Sequence, residues 1–71
     1  MDVSLTLREK EVLSYIISFK MINGFSPTFS EIAKALNSSK QTIYIIAQQL
    51  RDKDFIAYTD KASRTILVLK F

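Results

Sequence analysis

Apolar residues in the first third of the chain recur at helical spacing. Thr6 and Glu9 are three residues apart, which is the spacing of a capping box at a helix N-terminus. The apolar pattern that follows stops at Asn23-Gly24, a pair that commonly ends helices. The pattern therefore predicts a first helix from Leu7 to Asn23. Its core-facing stripe is expected to be Val12, Leu13, Ile16 and Ile17.

Two further helical segments follow in quick succession. Thr28 with Glu31 repeats the capping-box spacing and predicts a second helix of about two turns. It should end at Asn37, because asparagine tolerates the left-handed conformation found at helix ends. After a brief polar turn, a third helix is expected from near Lys40 to about Lys53. Two helices joined by so short a turn are a helix-turn-helix candidate.

The spacing of apolar residues changes after the third helix. Residues 55–59 and 64–71 are rich in β-branched and aromatic residues, and the polar residues 60–63 separate them. This pattern predicts a β-hairpin, with room for a minimal third strand at Phe25-Ser26 before the only proline. The expected fold class is α+β, a winged helix-turn-helix of three helices followed by a two-stranded hairpin wing, in a single domain over 1–71.

One isoleucine of the third helix does not fit its core-facing stripe. At about 100° per residue, that stripe consists of Ile43, Ile46, Ala47 and Leu50. Ile45 points about 160° away from Ile43, toward the side that should face solvent. Its neighbours on that side are Gln41, Tyr44, Gln48, Gln49 and Asp52. An outward isoleucine is tolerated if a partner covers it, so this face is a candidate binding surface.

Composition removes several functional classes. The 71 residues contain no cysteine and no histidine, which leaves no disulfides, no thiolate or imidazole metal ligands and none of the usual general bases. The seven acids are spread along solvated positions, and the single glycine cannot form a phosphate-binding loop. We therefore expect no enzyme activity, no metal and no cofactor.

The chain is predicted to stay in the cytoplasm. It contains no apolar run of about 18 residues and no signal-peptide pattern at its start, so no membrane association is expected. The net charge of +3 permits an anionic partner. Four bases and one acid lie between Lys34 and Lys53, so the helix-turn-helix region carries the whole of that charge.

Several spaced motifs resemble the N-terminal winged-helix DNA-binding domain of LexA-type SOS repressors. The resemblance runs from Leu5 to about Leu69. Its most specific pieces are Leu5-Thr6-x-Arg8 with Glu11-Val12-Leu13, then Gly24-x-x-Pro27-Thr28-x-x-Glu31-Ile32-Ala33, and Ala62-Ser63-Arg64. The resemblance implies a winged helix that binds double-stranded DNA and represses transcription.

This chain departs from the family pattern at three places. Asn37 stands where a glycine usually follows the second helix, and Asp54 stands where a glycine usually precedes the second strand of the family's sheet. Both residue types accept positive φ, so the same backbone is expected. The family's C-terminal dimerising and self-cleaving serine-lysine protease domain has no counterpart in these 71 residues. Neither its cleavage switch nor its dimer interface is therefore expected here.

In this context the third helix is predicted to be a recognition helix in the major groove. Gln41 suits a bidentate pair with adenine, and Ile45 suits packing on a thymine methyl. Ser39 and Thr42 suit base edges or phosphates, and the predicted contact set of this helix also includes Lys40, Tyr44 and Gln48. The alternative is a winged-helix protein-interaction module that docks through Tyr44 and Ile45.

Other residues are predicted to position the DNA backbone. The free amides of Phe29 and Ser30, with Thr28 as cap, suit a phosphate at the start of the second helix. Lys61 and Arg64 of the wing, and Lys53 after the third helix, are expected on phosphates. Because one small module buries only about 600 to 1,000 Å² on DNA, a homodimer on two half-sites is expected.

Two groups away from this face are assigned structural roles. Arg8, Lys10 and Lys20 are expected to form a solvated face of the first helix, interleaved with acids. The apolar residues around the end of that helix are expected to pack in the core or on the sheet, with self-association as the alternative. These residues are Phe19, Met21, Ile22 and Phe25.

Overall fold

Three helices precede a short antiparallel hairpin, as the sequence predicts. The computed structural model describes residues 4–59 and 64–70. Its helices are α1 (Leu7–Asn23), α2 (Phe29–Ala35) and α3 (Lys40–Asp52). Its strands are β1 (Ile56–Ala57) and β2 (Leu67–Val68), paired with Ile56 opposite Val68 and Ala57 opposite Leu67. The winged helix-turn-helix fold is confirmed, although both strands are shorter than predicted, and the predicted turn at 60–63 lies outside the described residues.

Side-chain caps fix where the helices begin. In the capping box of α1, the Thr6 hydroxyl accepts from the Glu9 amide at 3.2 Å and the Glu9 carboxylate accepts from the Thr6 amide at 2.8 Å. Thr28 and Glu31 form the same box at α2, which confirms both predicted starts. Ser39 caps α3 by accepting from the Thr42 amide at 3.1 Å. Each cap satisfies amides that the first helical turn leaves without a partner.

Left-handed residues end the helices and start the hairpin. Gly24 has φ 82° and donates its amide to the Lys20 carbonyl at 2.8 Å, which closes the last turn of α1. Asn37 has φ 55° and Asp54 has φ 64°. The two residues that replace glycines of the family therefore keep the left-handed backbone conformation, as expected of residue types that tolerate it.

The core forms where α3 packs against the other helices and the hairpin. The stripe predicted for α3 is buried, and it meets buried residues of α1 and α2. The hairpin closes the core with Ile56 and Ile66. The buried hydrophobic residues of this core are Val12, Leu13, Ile16, Ile32, Ala33, Ile43, Ile46, Ala47, Leu50, Ile56 and Ile66. This arrangement leaves the opposite side of α3 facing solvent.

The prediction that the residues around the end of α1 pack in the core is wrong for three of four. Met21 and Ile22 are 81% and 82% exposed, and Phe25 is also exposed, while Phe19 is partly buried. Helical geometry explains the error, because Met21 and Ile22 lie about 140° and 120° around α1 from Ile16. The sheet of the described residues has two strands, and Phe25-Ser26 is not one of them. These apolar side chains therefore form an exposed surface.

Candidate nucleic-acid interface

The predicted outward face of α3 faces solvent, although Tyr44 and Gln48 on it are partly buried. Gln41, Thr42 and Ile45 are exposed, together with Ser39 and Lys40 at the start of the helix. Ile45 is 48% exposed, although residues of its type are usually buried. We call the residues Ser39, Lys40, Gln41, Thr42, Ile45 and Gln48 the outer face of α3. This face combines amide, hydroxyl and ammonium groups with one exposed apolar side chain.

Two hydroxyl groups at the start of α3 are already hydrogen-bonded to each other. The Ser39 hydroxyl donates to Thr42 Oγ1 at 2.8 Å and accepts from the Thr42 amide at 3.1 Å. A hydroxyl has a single proton, so Ser39 has used its donor, whereas Thr42 keeps its own. Thr42 is therefore the better placed of the two to donate to an incoming acceptor.

Tyr44 lies beside the outer face, in an aromatic cluster with Phe29 and Tyr58. The ring centroids of Phe29 and Tyr44 are 5.6 Å apart, and those of Phe29 and Tyr58 are 5.2 Å apart, both in edge-to-face geometry. The Arg51 guanidinium lies 4.7 Å from the centroid of the Tyr58 ring. The cluster joins α2, α3 and the residue that follows β1. Tyr44 and Phe29, both predicted to contact DNA, thus also hold the helix-turn-helix to the hairpin.

Lys53 has partners within the chain. Its ammonium group is 2.8 Å from Glu9 Oε1 and donates to the Ser4 carbonyl at 3.1 Å. Glu9 is only 1% exposed. Burial alone would raise the pKa of Glu9, but the hydrogen bonds from Lys53 and Thr6 outweigh it and leave the pKa below its ordinary value. Lys53 therefore neutralises a buried carboxylate besides any contact it makes outside the chain.

Arg64 anchors the base of the wing to the start of α2. Its guanidinium donates to both Glu31 carboxylate oxygens, at 2.9 and 3.0 Å, and to the Ser26 carbonyl at 3.0 Å. It also lies 4.6 Å from the centroid of the Phe25 ring. The Arg64 hydrogen bond, together with that from the Thr28 amide, lowers the pKa of Glu31. A guanidinium has more N–H donors than these three bonds use.

The other predicted backbone contacts lie near this anchor. In the capping box, the Thr28 amide donates to the Glu31 carboxylate and the Glu31 amide donates to the Thr28 hydroxyl. The amides of Phe29 and Ser30 have no acceptor within the first turn of a helix. Lys61 lies outside the described residues. Of the two predicted wing cations, the structure therefore describes Arg64.

Arg8 has a role that the sequence analysis missed. It was predicted to lie on a solvated face, but it donates to the Leu36 carbonyl at 3.1 Å and to the Ser38 hydroxyl. It also pairs with Glu11 at 3.0 Å. Arg8 thus ties α1 to the turn between α2 and α3. Its place in the Leu5-Thr6-x-Arg8 motif was the available signal, whereas its partners are 28 and 30 residues away.

Within residues 4–59 and 64–70, no group of three or more metal-ligating acids occurs, and no helix is long and apolar enough to cross a membrane.

Comparison with known proteins identifies the family. The model of the LexA DNA binding domain matches residues 2–65. The LexA repressor of Thermosipho africanus (strain TCF52B) is 36% identical over 66 residues, which are 93% of this chain and 33% of the relative. The LexA repressor of Koribacter versatilis (strain Ellin345) is 33% identical over 69 residues, which are 96% and 33% of the two chains. The LexA repressor of Gluconacetobacter diazotrophicus is 34% identical over 67 residues, or 93% and 26%.

The similarity covers only part of those relatives. This chain spans about a third of the length of the first two and about a quarter of the third. The match therefore concerns the DNA-binding domain.

Proposed function

The chain belongs to the LexA DNA-binding domain family, and from that premise we propose that it is a sequence-specific DNA-binding repressor that occupies operator DNA. In this proposal the first turns of α3 enter the major groove and the wing follows the DNA backbone. The relatives are named as repressors, which supports the regulatory role. The observation that carries the proposal is the outer face of α3, where Gln41 and Ile45 are exposed side by side, opposite the buried stripe.

The proposed contacts divide by chemistry. Gln41 and Ile45 read base edges, through an adenine pair and a thymine methyl. Thr42 and Gln48 offer further hydrogen bonds, and Lys40 meets a phosphate. The amides of Phe29 and Ser30 receive a second phosphate beside the wing. Lys53 and Arg64 lie close to phosphates of the DNA backbone while they remain paired with Glu9 and Glu31.

Selection from random duplex DNA, followed by binding at several salt concentrations, tests the proposal. A regulator is expected to enrich one motif and to lose affinity steeply as salt rises, because each neutralised phosphate releases counterions. No enrichment together with weak binding would instead favour a protein partner at Tyr44 and Ile45.

Binding by two copies is expected on the selected site. A single module of this size buries only about 600 to 1,000 Å² on DNA, so the selected motif should contain two half-sites and the complex two chains. Analytical ultracentrifugation of the complex gives the number of chains, and shortening the duplex to one half-site gives the affinity of a single chain. A single unrepeated site bound one to one with nanomolar affinity would refute this prediction.

Substitutions on the outer face are expected to change base preference. Gln41→Ala should remove about 1 to 3 kcal/mol of discrimination at one base pair, and Ile45→Ala should relax the preference for thymine at a neighbouring one. Competition binding against every single-base variant of the selected site measures both. Gln49→Ala is the matched control, since Gln49 is an exposed glutamine on the same side of α3 but about two turns further along the helix, outside the predicted contact set. Unchanged discrimination in Gln41→Ala would argue against base reading by this helix.

Arg64 tests whether the wing base contacts the DNA backbone. Arg64→Ala is expected to weaken binding to all duplexes alike and to flatten the slope of log K against log salt by about one phosphate contact. Glu31→Gln is the control, because it weakens the same ion pair but keeps the arginine charge. If both variants weaken binding with an unchanged salt slope, Arg64 only orients the wing.

A further inference from the structure

The start of α3 lies beyond the packed core. Residues 37–42 are all exposed or partly buried, and the first buried residue of α3 is Ile43. Core packing therefore holds the body of the helix, whereas Gln41 lies on a stretch without a buried side chain. Hydrogen bonds are made within a narrow range of about 2.7 to 3.2 Å. Gln41 can therefore pair with a base only if other contacts hold this stretch in place.

The turn between α2 and α3 is closed by its own backbone. Asn37 has a left-handed φ of 55°, and its amide donates to the Lys34 carbonyl at 3.3 Å. The Ser38 amide donates to the Ala33 carbonyl at 2.8 Å. Both bonds follow the Schellman pattern of helix ends. They fix the turn relative to α2, and α1 takes no part in them.

Arg8 connects this turn to α1. Its Nη2 atom donates to the Leu36 carbonyl at 3.1 Å and to the Ser38 hydroxyl, while its Nη1 atom pairs with Glu11 at 3.0 Å. Leu36 is the C-cap of α2, and Ser38 directly precedes Ser39, the N-cap of α3. A planar guanidinium holds its donors in a fixed geometry. These bonds therefore define where the turn lies relative to α1.

We propose that Arg8 is a positioning residue for base recognition. It holds the turn before α3, and through the turn it determines where Gln41 enters the major groove. This inference rests on the proposed function, in which Gln41 reads a base edge. Gln41 follows Ser38 by three residues, which is less than one helical turn, so a displacement of the turn also displaces Gln41.

A direct contact between Arg8 and a DNA phosphate fits the structure less well. The Arg8 side chain is 40% exposed, but the Glu11 carboxylate lies 3.0 Å from Nη1 and would repel a phosphate at that place. The two hydrogens of Nη2 are used by Leu36 and Ser38. Arg8 therefore contributes geometry to DNA binding, and its charge is balanced within the chain.

Two substitutions of Arg8 test the proposal. Arg8→Met removes the donors and keeps an apolar stem, whereas Arg8→Lys keeps the charge but loses the planar fork. Both should lower discrimination at the base pair read by Gln41 by at least about five-fold, since a good bidentate pair discriminates by about 5- to 150-fold. Competition binding against single-base variants of the selected site measures this. Discrimination by Ile45 should change less, because Ile45 lies between the buried Ile43 and Ile46.

The salt dependence separates positioning from a phosphate contact. The slope of log K against log salt is expected to stay the same in both Arg8 variants, because Arg8 neutralises no phosphate in this proposal. Glu11→Gln is the matched control, since it removes the ion pair of the same guanidinium and leaves its two bonds to the turn. It should keep the discrimination of the native chain. Circular dichroism checks that each variant is folded, and Arg8→Lys provides the comparison if Arg8→Met does not fold.

A combination with Gln41→Ala separates positioning from a general loss of structure. If Arg8 acts by placing Gln41, adding Arg8→Met to Gln41→Ala should cause little further loss of affinity for the selected site, because the side chain that Arg8 positions is already gone. In two-dimensional NMR of the free chain, Arg8→Met should shift the amide signals of Ser38, Ser39 and Gln41. The signal of Ile43 should change less, because Ile43 is held by the core.

Several results would overturn the proposal. Native discrimination in both Arg8 variants, at a base pair where Gln41→Ala loses it, would refute the positioning role and leave the proposed function standing. A slope reduced by about one phosphate contact in Arg8→Met would make Arg8 a phosphate ligand instead. Losses that multiply in the double variant would show that Arg8 does not act through Gln41. A native chain that enriches no motif would refute the proposed function itself, and this inference with it.

Discussion

Ile43→Ala is expected to lower the free energy of unfolding by about 2 to 5 kcal/mol, because it removes buried apolar area and leaves a cavity. Ile43 is fully buried in the stripe that α3 packs against the rest of the core. The total free energy of unfolding of a domain of this size is only about 5 kcal/mol or slightly more, so the variant should lose much of its stability. Urea unfolding followed by circular dichroism measures the change.

Ile45→Ala is the matched control on the same helix. The residue type and the deleted atoms are the same, but Ile45 is half-exposed, so its loss should change stability by about 0.5 kcal/mol or less. Substitution of Ile43 is therefore expected to affect folding, and substitution of Ile45 to affect binding. If Ile45→Ala loses as much stability as Ile43→Ala, then Ile45 belongs to the core and the assignment of the outer face of α3 is wrong.

Lys53→Met should destabilise the domain by about 2 to 4 kcal/mol near neutral pH, since it leaves Glu9 ionised, buried and without its counter-charge. The Lys53 side chain is 28% exposed, which places the expected cost below that of a fully buried pair. Urea unfolding measures it. A loss of DNA affinity in Lys53 variants therefore has to be compared with the loss of folded protein before a phosphate contact is inferred.

The cost of Lys53→Met should shrink as the pH falls. In the native chain the pKa of Glu9 is lowered, so its contribution to stability is present at neutral pH and is lost as the pH falls through that pKa. Without Lys53, burial continues to raise the pKa of Glu9 and only the Thr6 hydrogen bonds still lower it, so the carboxylate becomes protonated at a higher pH than in the native chain. The two proteins should therefore converge in stability under acid conditions.

Adding Glu9→Gln to Lys53→Met is the control for this mechanism. The double variant has no charge at this buried site, so it should be more stable than Lys53→Met at neutral pH. Its stability relative to the native chain should depend less on pH than that of Lys53→Met. If Lys53→Met costs the same at both pH values, the Glu9 pair does not stabilise the fold in the way proposed.

Local signals in the sequence were sufficient for the helices and their starts. The capping boxes at Thr6 and Thr28 and the stop at Gly24 concern residues close together in the chain, so their spacing alone predicts the backbone. The stripe of α3 follows from helical periodicity in the same way, and with it the outward direction of Ile45. The orientation of the candidate DNA-binding face was therefore predictable.

Long-range pairing was not predictable from local pattern. Lys53 and Glu9 are 44 residues apart, and Arg64 and Glu31 are 33 apart, so no spacing rule connects them. Lys53 is predicted to contact phosphate because it follows the helix-turn-helix, and Arg64 because it lies in the wing. The exposure of Met21 and Ile22 was missed for a different reason. Both were expected to be buried because they are apolar, although their positions around the helix place them on its outward side.

Glu31 connects the start of α2 to the base of the wing. One of its carboxylate oxygens accepts from the Thr28 amide as part of the α2 capping box, and the same carboxylate binds Arg64 at the base of the wing. Displacing the wing therefore pulls on the group that holds the first turn of α2. In hydrogen-exchange terms, we expect the wing base and the start of α2 to form one cooperative opening unit rather than two independently fraying segments. DNA that holds the wing in place would then also slow amide exchange in α2 beyond the two amides that receive a phosphate.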